Sequence, residues 1–93
     1  MTFAERFGHN LAEWRKRLGV SQEDLGLMAG LHRTAVGQIE RGERVPRTDT
    51  LVKLAGSLGN RPEDLLAGLS WQPQMMVEGA LIVSDDSSET PEP

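Results

Sequence analysis

Cysteine is absent from this 93-residue chain, which excludes disulfide frameworks and thiolate metal sites and leaves no need for an oxidising compartment. Histidine is scarce as well. His9 and His32 lie far apart with no cysteine or second histidine beside either, which argues against a zinc site. No apolar run approaches the roughly 20 residues that span a bilayer, and the opening MTFAERFGHN lacks the basic start and apolar core of a signal peptide. The expectation is a soluble cytoplasmic protein without membrane contact. Also missing are a Ser/His/Asp arrangement, carboxylates paired in a plausible pocket and a glycine loop able to cradle phosphate. A chain of this length folds as one domain at most, too small to enclose a large cofactor cleft. Neither an enzyme nor a bound cofactor is expected.

An excess of positive charge is missing too, since the formal net charge is −4. That balance looks hostile to a polyanion such as nucleic acid, but its distribution reverses the reading. Five acidic residues (Glu78, Asp85, Asp86, Glu89, Glu92) and no basic ones lie from position 78 onward, so the first 77 residues carry ten basic and nine acidic groups. The acid is in the tail. Between positions 33 and 47 stand four arginines (Arg33, Arg41, Arg44, Arg47) against Glu40 and Glu43.

What is present is a series of short amphipathic helices. Phe3, Phe7, Leu11, Trp14 and Leu18 recur at spacings of four, four, three and four, one apolar stripe that Gly19 ends. Trp14 is read as core because of its place in that stripe. Ser21 with Asp24 three residues on has the pattern of a capping box and starts a second helix, with Leu25 and Ala29 inward and Gly30 as its stop. A third helix runs from about His32 to Arg41 and closes at Gly42. Leu51, Leu54, Ala55 and Leu58 mark a fourth, ended by Gly59, and Pro62 opens a short fifth that carries Leu65 and Leu66 and ends at Gly68. No strand-like alternation occurs in the first 70 residues, so the fold class is all-α. Beyond Ser70, the run Ala80 to Val83 is able to form a strand, and the last ten or so residues have nothing to bury and are expected to be disordered. The organisation expected is a domain over 1–69, an apolar extension over 70–83 and an acidic tail over 84–93.

The third helix sorts its own side chains. At about 100° per residue, Arg33, Thr34, Gly37, Gln38 and Arg41 fall within an arc of roughly 140°, with Ala35, Val36 and Ile39 opposite. Together with the second helix it meets the needs of a helix-turn-helix: Gly26 as the small residue where helices touch, Gly30 in the turn, and Leu25, Ala29, Leu31, Val36 and Ile39 on the inner faces.

The run VSQEDLGLMAGLHRTAVGQIERGERVPRTDTLVKLAGSLG resembles the lambda-repressor and Cro family, also called XRE. Ser21, Gln22, Leu25, Gly30, Val36, Ile39, Glu40, Gly42, Pro46, Leu51, Leu54, Ala55, Leu58 and Gly59 stand in register with its pattern. The stretch LHRTAVGQIERGER is also similar to the small controller proteins of restriction-modification systems. The resemblance covers Leu11 to about Leu66 and implies a five-helix DNA-binding domain, with the third helix in the major groove of double-stranded DNA. It implies base contacts from Arg33, Thr34 and Gln38, whose side chains suit guanine, a thymine methyl and adenine respectively. It implies backbone contacts from Gln22 at a helix N-terminus and from Arg44 and Arg47, with Arg41 and His32 as further candidates. It also implies a structural ion pair between Arg15 and Glu40. His32 departs from the serine that commonly caps the third helix, so that cap is expected to be weakened or the imidazole to meet a phosphate. Gly37 costs that helix about 1 kcal/mol relative to alanine, and Gly26 replaces a common alanine without expected harm.

A module this small makes few base contacts, so a homodimer on a two-fold site is expected. Leu65, Leu66, Leu69, Trp71, Met75 and Met76 exceed what a short fifth helix needs, and are read as the dimer surface. The alternative is that Trp71 and the methionines fold back over their own core. Two other readings of function remain: an antitoxin-type regulator that also binds a protein toxin through the segment after Ser70, and a protein-interaction module of the same fold.

Overall fold

The computed structural model describes residues 1–73 and 79–84. Five helices, α1 (Phe3–Arg17), α2 (Gln22–Ala29), α3 (Arg33–Glu40), α4 (Thr48–Ser57) and α5 (Pro62–Leu65), precede two strands, β1 (Leu69–Gln72) and β2 (Ala80–Val83). The five glycines read as helix stops, at 19, 30, 42, 59 and 68, all have positive φ. At Gly30 that conformation ends α2 and lets the Leu31 amide donate back to the Gly26 carbonyl at 2.7 Å.

The helix starts are set by local side chains. Thr2 and Glu5 form a full capping box on α1, with Glu5 N donating to Thr2 Oγ1 at 3.1 Å and Thr2 N to Glu5 Oε1 at 2.8 Å. The donated amide holds the Glu5 carboxyl below its usual range. On α2, Ser21 accepts from Asp24 N at 2.9 Å, a one-sided cap in place of the reciprocal box expected. On α3 the imidazole itself supplies the cap. His32 is the N-cap, its Nδ1 accepting from Thr34 N at 3.1 Å and lying 2.9 Å from Thr34 Oγ1. The neutral imidazole presents an acceptor nitrogen where a serine would present its hydroxyl oxygen.

The core joins one residue set from each helix: Phe7 and Leu11 of α1, Leu25 and Ala29 of α2, Val36 and Ile39 of α3, Leu54 and Ala55 of α4, Leu58 after it, and Leu65 of α5. Each buried leucine, isoleucine or phenylalanine is worth about 1.5 to 3 kcal/mol relative to exposure. Trp14 is half-buried against this cluster, with the Arg17 guanidinium 4.9 Å from its ring centroid. Leu18, the last member of the expected stripe, is the C-cap and is exposed.

Two helix contacts are so close that only glycine fits. A Cβ at Gly8 would collide with the Ile39 and Glu40 carbonyls, which is how α1 lies directly on the end of α3. At Gly26 it would lie 2.6 Å from the Leu31 carbonyl oxygen. The glycine there brings α2 closer to the turn than alanine would allow on this backbone.

The strand expected over Ala80 to Val83 is present. Its partner β1 was not expected and straddles the boundary drawn after residue 69. The two are antiparallel, with Leu69 opposite Val83 and Trp71 opposite Leu81. The chain between α5 and β1 is fastened to α1, because Asn10 Nδ2 donates to the Leu65 and Ala67 carbonyls at 3.0 and 2.8 Å and Arg6 Nε to Ala67 O at 3.4 Å. Of the leucines read as dimer surface, Leu65 is fully buried in its own core, and Leu66 and Leu69 pack in part against it. Trp71 is 57% exposed, and it lies so close over Gly79 that a Cβ there would collide with the indole. Met75, Met76 and the acidic tail after Ser84 lie outside the described residues.

Candidate nucleic-acid interface

The back of α3 fixes where its front lies. Val36 and Ile39 are fully buried, and Glu40 receives the Arg15 guanidinium through Nε at 2.6 Å and Nη2 at 3.0 Å. Arg15 Nη1 donates to the Val20 carbonyl at 2.9 Å, so every nitrogen of the fork is used. The pair is 12% and 6% exposed, and the carboxylate beside it pushes the Arg15 guanidinium above its usual range. The ion pair that the resemblance implied between α1 and α3 is present.

Gln22 joins this pair. Its Nε2 donates to Glu40 Oε1 at 2.9 Å, which ties the amide nitrogen to α3, while its Oε1 lies beside Gly37. What α2 offers outward at this end is the backbone N–H groups of Gln22 and Glu23, the Asp24 amide being taken by the Ser21 cap, and the positive end of the helix dipole.

The front of α3 and the loop after it carry a set of separate polar contacts. Arg33 Nη1 lies 3.2 Å from Glu23 Oε2, linking the first turns of α3 and α2. One turn on, Gly37 lies between the Gln22 side chain and the Arg41 guanidinium. Arg41 is held by Glu43, with Nε to Oε2 at 2.6 Å, and this contact lowers the Glu43 carboxyl and raises the Arg41 guanidinium from their usual ranges. Gln38 Oε1 accepts a long 3.5 Å bond from Arg44 Nη1, joining the loop to the helix. Arg47, the residue before α4, pairs with Asp49 at 3.1 Å, and the Asp49 carboxyl is lowered mainly by the Thr50 amide. Arg33, Thr34, Arg41, Arg44 and Arg47 are exposed. Of the expected candidates, Arg33, Thr34, Gln38 and Arg41 share α3 or its cap and Arg44 reaches Gln38 from the loop, while Arg47 pairs within its own segment, the Gln22 side-chain amide is engaged by Glu40, and His32 is occupied at Nδ1 by its cap.

A surface cleft of about 370 Å³ between α1 and α5, lined by His9, Asn10, Glu13, Trp14, Arg17, Glu63, Asp64 and Ala67, shares no residue with this front. Among the described residues no three metal-ligating side chains come together, and no helix is long and apolar enough to cross a membrane.

The sequence model of the helix-turn-helix family matches residues 11–66. The chain belongs to the XRE family of helix-turn-helix transcriptional regulators. Within that family it is 39% identical over 61 residues to control protein C.BamHI of Bacillus amyloliquefaciens, covering 64% of this chain and 75% of that protein. The restriction-modification controller protein C.AhdI of Aeromonas hydrophila superposes with a TM-score of 0.66 at 40% identity, over 67% of this chain and 94% of that one. The phage P22 c2 repressor, solved in complex with a synthetic operator, superposes with a TM-score of 0.61 at 34% identity, over 63% and 89%. These alignments place the α1–α5 unit in the XRE fold. The family match stops at residue 66, so the β1–β2 hairpin follows the shared domain.

Two structural residues of this XRE domain escaped the reading of the sequence. Gly8 and Asn10 sit on α1 with no local pattern around them, and their roles arise from backbone 31 and 55 positions away. A glycine inside an otherwise amphipathic helix was the available signal for the first.

Proposed function

We propose that this chain is a sequence-specific double-stranded DNA-binding regulator that lays α3 in the major groove. The observation that carries the reading is the division of α3 itself. Val36, Ile39 and Glu40 are committed to the domain, whereas Arg33, Thr34, Gln38 and Arg41 form an outward stripe bounded by the α2 N-terminus and the Arg44–Arg47 loop. Arg33, Thr34 and Gln38 read base edges. Phosphates are held by the Gln22 and Glu23 backbone amides at the start of α2, by Arg44 and Arg47, and by the His32 ring edge opposite the cap.

The regulator acts in the cytoplasm as a homodimer on half-sites about one helical turn apart. Of the apolar residues first read as dimer surface, Trp71 is the described one most open to a partner. The identity to restriction-modification controllers supports this reading above the antitoxin alternative, for which the comparisons offer nothing.

Selection of bound duplexes from random DNA tests the proposal directly. A two-fold motif is the expected result, with log K falling by about 0.9 per log unit of salt for each phosphate neutralised. A salt slope near zero, or no enriched sequence, would overturn it. Sedimentation of the Trp71→Ser variant tests the dimer surface, and an unchanged dimer would move that surface elsewhere.

A further inference from the structure

The outward stripe of α3 has a gap in the middle. Gly37 has no side chain to present, yet it is buried, and the group over it is the guanidinium of Arg41. A Cβ added at Gly37 would lie 3.0 Å from Arg41 Nη1 and 3.6 Å from Gln22 Oε1. Helical side chains lean toward the N-terminus, so a residue covers the turn before its own. The spot on the front that side chain 37 would fill is therefore filled by Arg41, drawn back from the end of the helix to its middle.

Glu43 fixes how that guanidinium is turned. Nε donates to Oε2 at 2.6 Å and Nη2 approaches Oε1 at 3.4 Å. Of the five N–H donors, two are directed at the carboxylate. One N–H of Nη1 and the second of Nη2 point forward side by side as a fork of parallel donors, and the last N–H of Nη1 points to the side. Guanine offers O6 and N7 to such a fork in the major groove. A phosphate contact would need neither the glycine nor the carboxylate. An acid already bound to the guanidinium would repel an incoming phosphate.

We propose that Arg41, seated over Gly37 and oriented by Glu43, reads a guanine edge and is a specificity-determining residue rather than a phosphate contact. Gly37 and Glu43 are its positioning residues. The inference rests on the DNA-binding reading above and goes beyond it, since the end of the helix was expected to meet the backbone.

The test uses the full chain, a preferred duplex obtained by selection, and a random duplex at the same salt concentration. Lysine keeps the charge of Arg41 and loses the fork. The expected result for Arg41→Lys is a loss on the preferred site about tenfold greater than its loss on random DNA, with relaxed preference at one G·C pair. Gly37→Ala is expected to act on stability and binding in opposite directions. The flexible end of Arg41 can give way, so the melting temperature rises by about 4 °C as α3 gains a better helix former. Affinity for the preferred site falls several-fold, and no further loss appears when Gly37→Ala is added to Arg41→Lys.

Equal losses for Arg41→Lys on both duplexes would return it to the phosphates and overturn the proposal. So would a Gly37→Ala variant of unchanged selectivity, or one whose loss persists in full without Arg41. Failure of the unmodified protein to bind any duplex would overturn the DNA-binding reading itself, a result distinct from these.

Discussion

The two sides of α3 use the same chemistry to different ends. Behind the helix, Arg15 and Glu40 are nearly buried, joined by two bonds, and supported by the Val20 carbonyl and the Gln22 amide. In front, Arg33–Glu23, Arg41–Glu43 and Arg47–Asp49 are each more than half exposed. A buried pair that loses one member leaves a charge with nowhere to go, whereas an exposed pair hands its charge back to water and contributes little. The back pair therefore decides where α3 sits. The front pairs add little to where α3 sits and leave their arginines facing solvent.

The largest effect should come from breaking the back pair. Glu40→Ala leaves the Arg15 guanidinium and the Gln22 amide without their acceptor and should destabilise the domain by about 3 kcal/mol, read as a large drop in the urea midpoint. Replacing both members, as Arg15→Met with Glu40→Leu, should recover much of that loss, because no charge is then stranded. Glu23→Ala should leave the urea midpoint nearly unchanged. If it cost as much as Glu40→Ala, the division between back and front would collapse.

Next in size is the contact that lets the back of α3 approach α1 at all. Gly8→Ala pushes a methyl group into the Ile39 and Glu40 carbonyls, and because these are backbone atoms the helices must separate. A loss of about 2 kcal/mol is expected, accompanied by weaker DNA binding, since α3 shifts with respect to α2. Measured stability equal to that of the unmodified chain would show that the α1–α3 approach is softer than its geometry implies.

On the front, Arg33→Ala should cost about 1 to 3 kcal/mol on the preferred site and relax selection at one base pair, while Arg47→Ala weakens all duplexes alike. Neither should shift the melting temperature by more than a degree or two. Equal behaviour of the two variants on preferred and random DNA would erase the assignment of Arg33 to a base.

How much of this was legible in the sequence depends on how local the cause is. The inner faces of α2 and α3, the glycine stops and the Pro62 start follow from periodicity and backbone conformation within a few residues. The Arg15–Glu40 pair spans 25 positions and came only from the family resemblance. Where a cause was neither local nor part of that resemblance, the reading failed. The Gln22 side-chain amide is tied to α3 because Glu40 is there to accept from it, which no property of the α2 sequence announces. Strand β1 exists because Arg6 and Asn10 fasten the preceding chain to α1 and β2 supplies its ladder, and four residues carry too little alternation to show it in advance. The His32 cap was hard to foresee for another reason: capping requires an acceptor at a given place, and an imidazole nitrogen can supply one.

The smallest expected effect separates two front pairs that look alike. Glu43 grips Arg41 from the Nε side and leaves the outer fork free. Glu23 meets Arg33 at its tip, through Nη1 at 3.2 Å, and that nitrogen is one a guanine would require. The first carboxylate orients its arginine, while the second competes for it. Glu23 also stands in the first turn of α2, close to where a phosphate would approach the helix N-terminus. Glu23→Gln should therefore tighten DNA binding by about two- to threefold at low salt, on the preferred duplex at least as much as on random DNA, with the gain fading as salt screens the lost repulsion. Glu43→Gln should do the reverse, weakening the preferred site more than random DNA. Affinities of the two variants, each measured on both duplexes at two salt concentrations, decide the matter. A loss on the preferred site for Glu23→Gln would mean that Glu23 too is an orienting group, and that Arg33 meets its base from the guanidinium edge that Glu23 leaves free.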